Sequence, residues 1–353
     1  MSGSGVERVG SAAALEALAP EWDRLAEACP WTTPFQRPEW LLPYCRVFEP
    51  GVAAVALRRD GRLAGLGLLE HRGRGGGPAL VFLGAGPSDY LDLLAEPGAE
   101  EELWQAVLEL VEEEAGAPRA GDDGAGGDGG APACQLDEIP PGSPVPELAA
   151  RDDGWHERIE EASLCPALPL PEPGTLEDAL PPKQYERLCY DRRRARREGR
   201  LEAAEAPADD PGPMLQRLVE LHRARWSEQG RGHGVLPERT ARFHHGVARA
   251  FARRGELALF EVRVGGTPVA SFYGFHHRRT LYYYVGGFDP SCSHLSPGVL
   301  AVGHAIEQAL ARGCRCFDFL RGAEPYKLRW GARPRRSRRV ELLAPALAGS
   351  RRR

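Results

Sequence analysis

The stretch Cys316-Phe317-Asp318-Phe319-Leu320-Arg321-Gly322-Ala323-Glu324-Pro325-Tyr326-Lys327-Leu328-Arg329-Trp330-Gly331 gathers two acids, a phenol and a lysine among aromatics and glycines. Lys327 is one of two lysines in the chain, with Lys183, while the other 43 of the 45 basic residues are arginine. A lysine kept against that bias points to a position that needs a compact ammonium. Such a group sits beside a carbonyl or a phosphate, or loses its proton, in ways a planar guanidinium does not. Two lysines among 353 residues can also be compositional residue. Asp318 alternates with apolar neighbours in a short strand, so it is half-buried and either holds a backbone or arginine partner, Arg321 being the nearest in sequence, or does chemistry.

A second candidate precedes it. Leu281 to Phe288 reads as a strand that runs into Asp289-Pro290 and then Ser296-Pro297-Gly298. Serine followed by proline predicts a helix start, with the hydroxyl capping free amides and proline fixed in the first turn. Gly298 removes a side chain where a ligand would approach the exposed N–H groups, which suits a pyrophosphate. The helix predicted over 297–312 buries Val299, Val302, Ile306 and Leu310 and stops at Gly313.

The elements that must position these residues occur twice, about 205 residues apart. Val52–Leu57 and Leu63–Leu69 flank a turn at Asp60-Gly61, and Leu257–Val262 and Pro268–Phe275 flank one at Gly265-Gly266. Asp-Gly and Gly-Gly tolerate positive φ and close hairpins. Each hairpin is followed by a histidine (His71, His276), a third strand ending in glycine (Gly84, Gly286) and a helix (101–114, 297–312). That shared order predicts a duplication. Between the copies, 115–130 is almost wholly Gly, Ala, Asp and Pro and predicts a disordered loop. The strand predicted over 133–139 closes the first domain, and Pro166–Pro173 crosses to the second. Domains of 1–165 and 166–345 with a disordered tail at 346–353 result.

A basic helix over 184–200 carries Arg192, Arg193, Arg194, Arg196, Arg197 and Arg200. It is either a solvated face or a clamp for the phosphates of a nucleotide-type ligand. The net charge of −5 and a pI near 6.1 argue against a dedicated nucleic-acid binder, and no DNA partner is expected. Eight singly scattered cysteines and no Cys/His ligand spacing argue against a structural zinc. The sequence has no signal-peptide pattern at its start and no run of 18 apolar residues, which predicts a cytoplasmic protein without membrane insertion.

The order Asp289-Pro290, Ser296-Pro297-Gly298, then Asp318-Phe319-x-x-Gly322-x-Glu324-x-Tyr326-Lys327-x-x-Trp330-Gly331 resembles the GNAT-superfamily proteins grouped as BioF2-like acetyltransferases, also called CelD-like cellulose-biosynthesis proteins. Pro34-Phe35-Gln36-x-Pro38-Glu39-Trp40 and Ser88-Asp89-Tyr90-x-Asp92 extend the resemblance to the first half. The final segment is more distantly similar to Fem-type peptidoglycan aminoacyltransferases, in whose aromatic-Lys-x-x-aromatic-Gly pattern fall Tyr326, Lys327, Trp330 and Gly331. The resemblance implies an α+β fold of two tandem GNAT-like domains, each a mixed, mainly antiparallel sheet flanked by helices. It implies transfer of an acyl group from a thioester or ester to an amine or hydroxyl.

The sequence lacks the usual Gln/Arg-x-x-Gly-x-Gly/Ala pyrophosphate loop of GNAT proteins, and Ser296, Pro297, Gly298 and Val299 stand in its place. Acyl-CoA, with acetyl-CoA first, is the donor implied, and aminoacyl-tRNA is the rival that the Fem similarity and the arginine helix suit. On this reading Glu324 is the candidate general base, with His276 and His294 as alternatives. Tyr326 is the acid toward the leaving group, Lys327 the oxyanion or phosphate partner, and Asp318 completes the catalytic set. Arg193, Arg197, His276, Tyr284, Arg321 and Trp330 are assigned to the substrates. The acceptor would be a small molecule or a cell-envelope precursor. A binding or assembly protein that kept the fold and lost catalysis is the third reading.

Overall fold

The computed structural model describes residues 3–72, 79–116, 132–151, 155–228 and 238–343. The chain divides into two compact units: residues up to Ser163 together with Arg336 onward, and Leu164–Arg335.

Unit 1 holds β1 (Ser4–Val9), β2 (Gly51–Arg59), β3 (Arg62–His71), β4 (Leu80–Phe82), β5 (Leu94–Ala95), β6 (Cys134–Ile139) and β7 (His156–Leu164). The predicted Asp60-Gly61 turn joins β2 to β3 with positive φ at both residues, 51° and 76°. The helices are α1 (Ala12–Ala17), α2 (Ala19–Ala28), α3 (Pro38–Phe48), α4 (Glu100–Gly116) and α5 (Val145–Ala149). β2 and β3 are buried along nearly their whole length, as strands of a sheet with both faces covered must be.

In unit 2, β8 (Ala167–Pro169), β9 (Leu201–Glu205), β10 (Leu257–Val264), β11 (Thr267–His277), β12 (Thr280–Phe288) and β13 (Cys316–Asp318) form a sheet of order β8-β13-β12-β11-β10-β9. All its pairs are antiparallel except β12 with β13. The helices are α6 (Leu176–Ala179), α7 (Pro182–Glu198), α8 (Gly212–Glu228), α9 (Glu238–Arg253), α10 (Pro297–Ala311) and α11 (Pro325–Arg329). Leu188 and Ala195 of α7, Ile306 of α10 and Phe272 and Phe317 of the sheet share one core.

Both sheets are mixed and flanked by helices, as the fold expectation required. Two details differ from the sequence reading. β14 (Arg336–Leu343) pairs with β6 and lies between it and β7, so unit 2 ends at Arg335 and not near 345. Its partner is about 200 residues distant in the chain, a pairing that no local periodicity encodes. Pro166–Pro173 is also no mere crossing, because Ala167–Pro169 pairs with β13 at the sheet edge. The loop expected at 115–130 lies, beyond the end of α4, outside the described residues, as does the tail at 346–353. No helix of the described residues is long and apolar enough to cross a membrane.

Candidate active site

β12 and β13 pair only over Thr280–Tyr282 and Cys316–Asp318. β12 then runs on to Phe288, while the other chain turns away after Leu320, whose φ is +54°. The end of β12, with α7, α10 and α11, borders a cavity of about 300 Å³, whose apolar wall includes Tyr283, Phe288, Val299, Tyr326 and Trp330. Gln184, Arg187, Ser271 and Arg329 are its principal polar lining, and no carboxylate, histidine or lysine is among the described residues that line it.

The glycines that end β12 are required by packing. A Cβ on Gly287 would come within 2.6 Å of the His222 amide nitrogen, because the backbone of α8 lies directly against the strand. A Cβ on Gly298, by contrast, meets only Phe288, at 4.0 Å.

The start of α10 is where the sequence expectation and the structure diverge most usefully. Ser296 adopts the left-handed conformation, φ +53°, and its side chain does not cap the helix. Its Oγ instead accepts from Arg194 Nη2 at 3.0 Å, and Arg194 also donates to Asp191 Oδ1 at 2.8 Å. The Ser296 carbonyl takes the amides of Val299 and Leu300. Pro297 has no amide hydrogen, and none of the described hydrogen bonds uses that of Gly298. An uncapped helix start with no acid in its first turn faces the cavity, carrying the positive end of the helix dipole.

The catalytic candidates of the last loop are placed otherwise. Lys327 is buried, its side chain 4% exposed. Its Nζ donates to the carbonyls of Arg321 at 2.7 Å and Leu320 at 3.4 Å and pairs with Glu324 at 3.0 Å. The lysine pins a loop strained at Leu320 and Gly322, where φ is +131° and a Cβ would collide with the Glu324 carboxylate and the Lys327 ammonium. Asp318 accepts from the Leu320 amide at 2.8 Å and from Arg335. Glu324, Lys327 and Asp318 thus form the frame of the loop and none lines the cavity. Arg321 enters that frame through its carbonyl and does not line the cavity either.

Six of the sequence candidates do come together around the cavity: Ser296, Pro297, Gly298, Val299, Tyr326 and Trp330. His276 lies in a separate, smaller cavity with Gln308 and Arg312, its Nδ1 3.8 Å from Cys314 Sγ, and burial lowers its pKa to about 4. Tyr284 packs on His244 and Tyr273, and His294 pairs with Glu198. Arg193 and Arg197 are exposed on α7. The sequence reading missed Gln184, Arg187 and Arg329. A spacing of three from Gln184 to Arg187, and of three from Tyr326 to Arg329, was the only signal available.

Residues 182–328 match the acetyltransferase (GNAT) domain family, from the first turn of α7 to α11. The whole of the matching stretch lies within unit 2. The match spans the Ser296–Val299 turn and Tyr326, and stops just before Arg329 and Trp330. Among solved structures the chain is similar to FemX, at 12% identity and a TM-score of 0.66, over 92% of this chain and 96% of that one. It is similar to a conserved protein of unknown function from Bacteroides thetaiotaomicron VPI-5482, at 11% identity and a TM-score of 0.62, over 96% and 100%. Similarity extends to L-PGS from Bacillus licheniformis, at 11% identity and a TM-score of 0.52, over 80% and 82%. At these identities the likeness is one of fold. No curated protein matches the sequence.

Proposed function

We propose that the GNAT domain transfers an acyl group from acyl-CoA, acetyl-CoA first among them, to an amine or hydroxyl of a small-molecule or cell-envelope acceptor. One observation carries this reading: the cavity between the end of β12, α7 and α11 ends on the uncapped, side-chain-free start of α10. The pyrophosphate would take the Gly298 amide and the helix dipole, with Arg187 at the rim. The thioester would lie along the apolar wall toward Tyr326.

The acceptor nitrogen or oxygen attacks the thioester carbonyl, the tetrahedral intermediate expels the coenzyme A thiolate, and the acceptor loses one proton. Tyr326, which lines the cavity, would deliver a proton to the thiolate. With Glu324 facing the loop, an acceptor amine would react in its neutral form and release its proton to water. Holding the two reactants in line then supplies most of the acceleration.

The exposed Arg193 and Arg197 beyond the cavity favour a second reading, an aminoacyl-tRNA donor. Thermal unfolding in the presence of acetyl-CoA, coenzyme A or bulk tRNA separates the two, since a ligand at a hundred times its Kd stabilises the folded state by about 2.7 kcal/mol. A rise in Tm with the two coenzyme A ligands alone is the expected result. A rise with tRNA alone transfers the site to the second reading, and no rise with any of them leaves a binding or assembly protein.

A further inference from the structure

α7 presents Lys183, Arg187, Tyr190, Arg194 and Arg197 at alternating spacings of four and three, which places them on one face of the helix. At 1.5 Å per residue this stripe runs for about 20 Å. It begins beside the cavity, which Arg187 lines. Tyr190, in its middle, is 54% exposed, more than any other large apolar side chain among the described residues.

The ring is not loosely placed. The Arg194 guanidinium lies over it, 5.5 Å from the centroid, and is itself held by Asp191 at 2.8 Å and by Ser296 Oγ at 3.0 Å. Asp191 is 3% exposed and also sits 3.7 Å from Arg187. One arginine thus ties an exposed aromatic ring to the residue that opens α10. A rigid ring backed by a cation and left more than half bare, next to exposed arginines, is the arrangement that stacks a nucleobase and holds its phosphates.

We infer that Tyr190, backed by Arg194, is the platform for the adenine of the acyl donor, with Arg193 and Arg197 receiving the phosphate on its ribose. This rests on the acyl-CoA reading, and adds to it where the nucleotide end lies and which residue selects it. The α10 start would hold the pyrophosphate, and Arg194 would couple the two places through Ser296.

The test is titration calorimetry of the full chain with coenzyme A and with 4′-phosphopantetheine, which has the same arm but no adenosine. Tyr190→Ala should weaken coenzyme A binding about tenfold and leave phosphopantetheine binding unchanged, while Tyr190→Phe should bind both like the wild type. Near-ultraviolet circular dichroism confirms that each variant is folded, which the exposure of Tyr190 leads one to expect. Equal coenzyme A affinity in the wild type and Tyr190→Ala would overturn the platform and leave the acyl-CoA reading standing. So would a wild type that binds coenzyme A no better than phosphopantetheine. A wild type that binds neither, or that binds tRNA instead, would remove both.

Discussion

The two units place a helix after their third strand, and the two junctions could hardly be more different. In unit 1, Gly84 follows β4 with φ +84°, and a Cβ there would meet Leu41 at 2.7 Å and Ser88 Oγ at 3.1 Å. Ser88 Oγ donates to the Gly84 carbonyl at 2.8 Å and accepts from Trp40 Nε1 at 2.9 Å, so the turn is filled and its polar groups are paired. α4 then opens with Glu100, Glu101 and Glu102 in its first turn. In unit 2, α10 opens with no acid and no side-chain cap, onto a cavity. Three carboxylates at a helix start complement its dipole and repel an anionic ligand, whereas a bare start invites one. Sharing an order of elements therefore does not mean sharing a site, because the side chains at one turn decide whether the amides are taken or offered.

The largest effect expected concerns what keeps the unit 2 junction clear. If Lys327 holds the facing loop away, Lys327→Ala strands one buried and one part-buried carbonyl and destabilises the protein by about 3 kcal/mol in urea unfolding. Lys327→Arg should also destabilise it, since the larger planar group does not fit a site 4% exposed. Wild-type unfolding midpoints in both variants would return Lys327 to the role of catalyst or surface charge.

Next in size is a pH effect that separates the units. Burial raises the Asp92 carboxyl in unit 1 to about 8, far above the ordinary 3.9. A raised folded pKa favours the protonated form, so its stabilisation is complete below the unfolded value and is lost as pH rises toward 8. Between pH 6.5 and 8 stability should fall by roughly 1 kcal/mol per pH unit, most steeply at the lower end, and Asp92→Asn should flatten that slope. His276 in unit 2, lowered to about 4, acts in the opposite window and removes stability as pH falls from about 6.5 toward 4. Equal slopes for wild type and Asp92→Asn across pH 6.5–8 would contradict the buried neutral carboxyl.

A direct exchange of character between the junctions comes third. Gly298→Glu gives α10 the acidic first turn of α4. It should stabilise the helix by about 0.5 kcal/mol and reduce coenzyme A affinity tenfold or more, so that binding and stability move in opposite directions. Gly298→Leu should weaken binding through bulk alone, since a side chain there meets only Phe288. Calorimetry giving wild-type affinity for both variants would reject α10 as the pyrophosphate seat. The smallest effect is the converse in unit 1. Ser88→Ala removes the hydroxyl that accepts from the Trp40 indole at 2.9 Å and should cost about 1 kcal/mol of stability without changing ligand affinity.

Local chemistry made much of this molecule legible beforehand. Asp60-Gly61 and Gly265-Gly266 carry positive φ at each residue, so their turns could be read from the glycines, and the apolar spacing of 297–312 gave α10 to within a residue. The peculiarity of Lys327 was also legible, as a lysine among arginines, but its partners were not. They are the Arg321 and Leu320 carbonyls, turned inward by a left-handed leucine that no propensity suggests. Ser296 followed the statistics of a cap and became an arginine acceptor, because Arg194 reaches it from a helix 102 residues earlier.

By itself the sequence determined the repeated hairpins, the helix that starts at Pro297, the arginine-rich face of α7 and the resemblance to GNAT proteins, all of which depend on neighbours within one or two turns. Only the tertiary structure decided that β14 returns to the first sheet, that Asp318, Glu324 and Lys327 frame a loop while Tyr326 and Trp330 face the cavity, and that Arg187 and Arg329 join them. The physical reason is that residue type fixes what a group can donate or accept. Whether that capacity is consumed or left for a ligand depends on which distant backbone and side-chain groups the fold brings within about 3 Å.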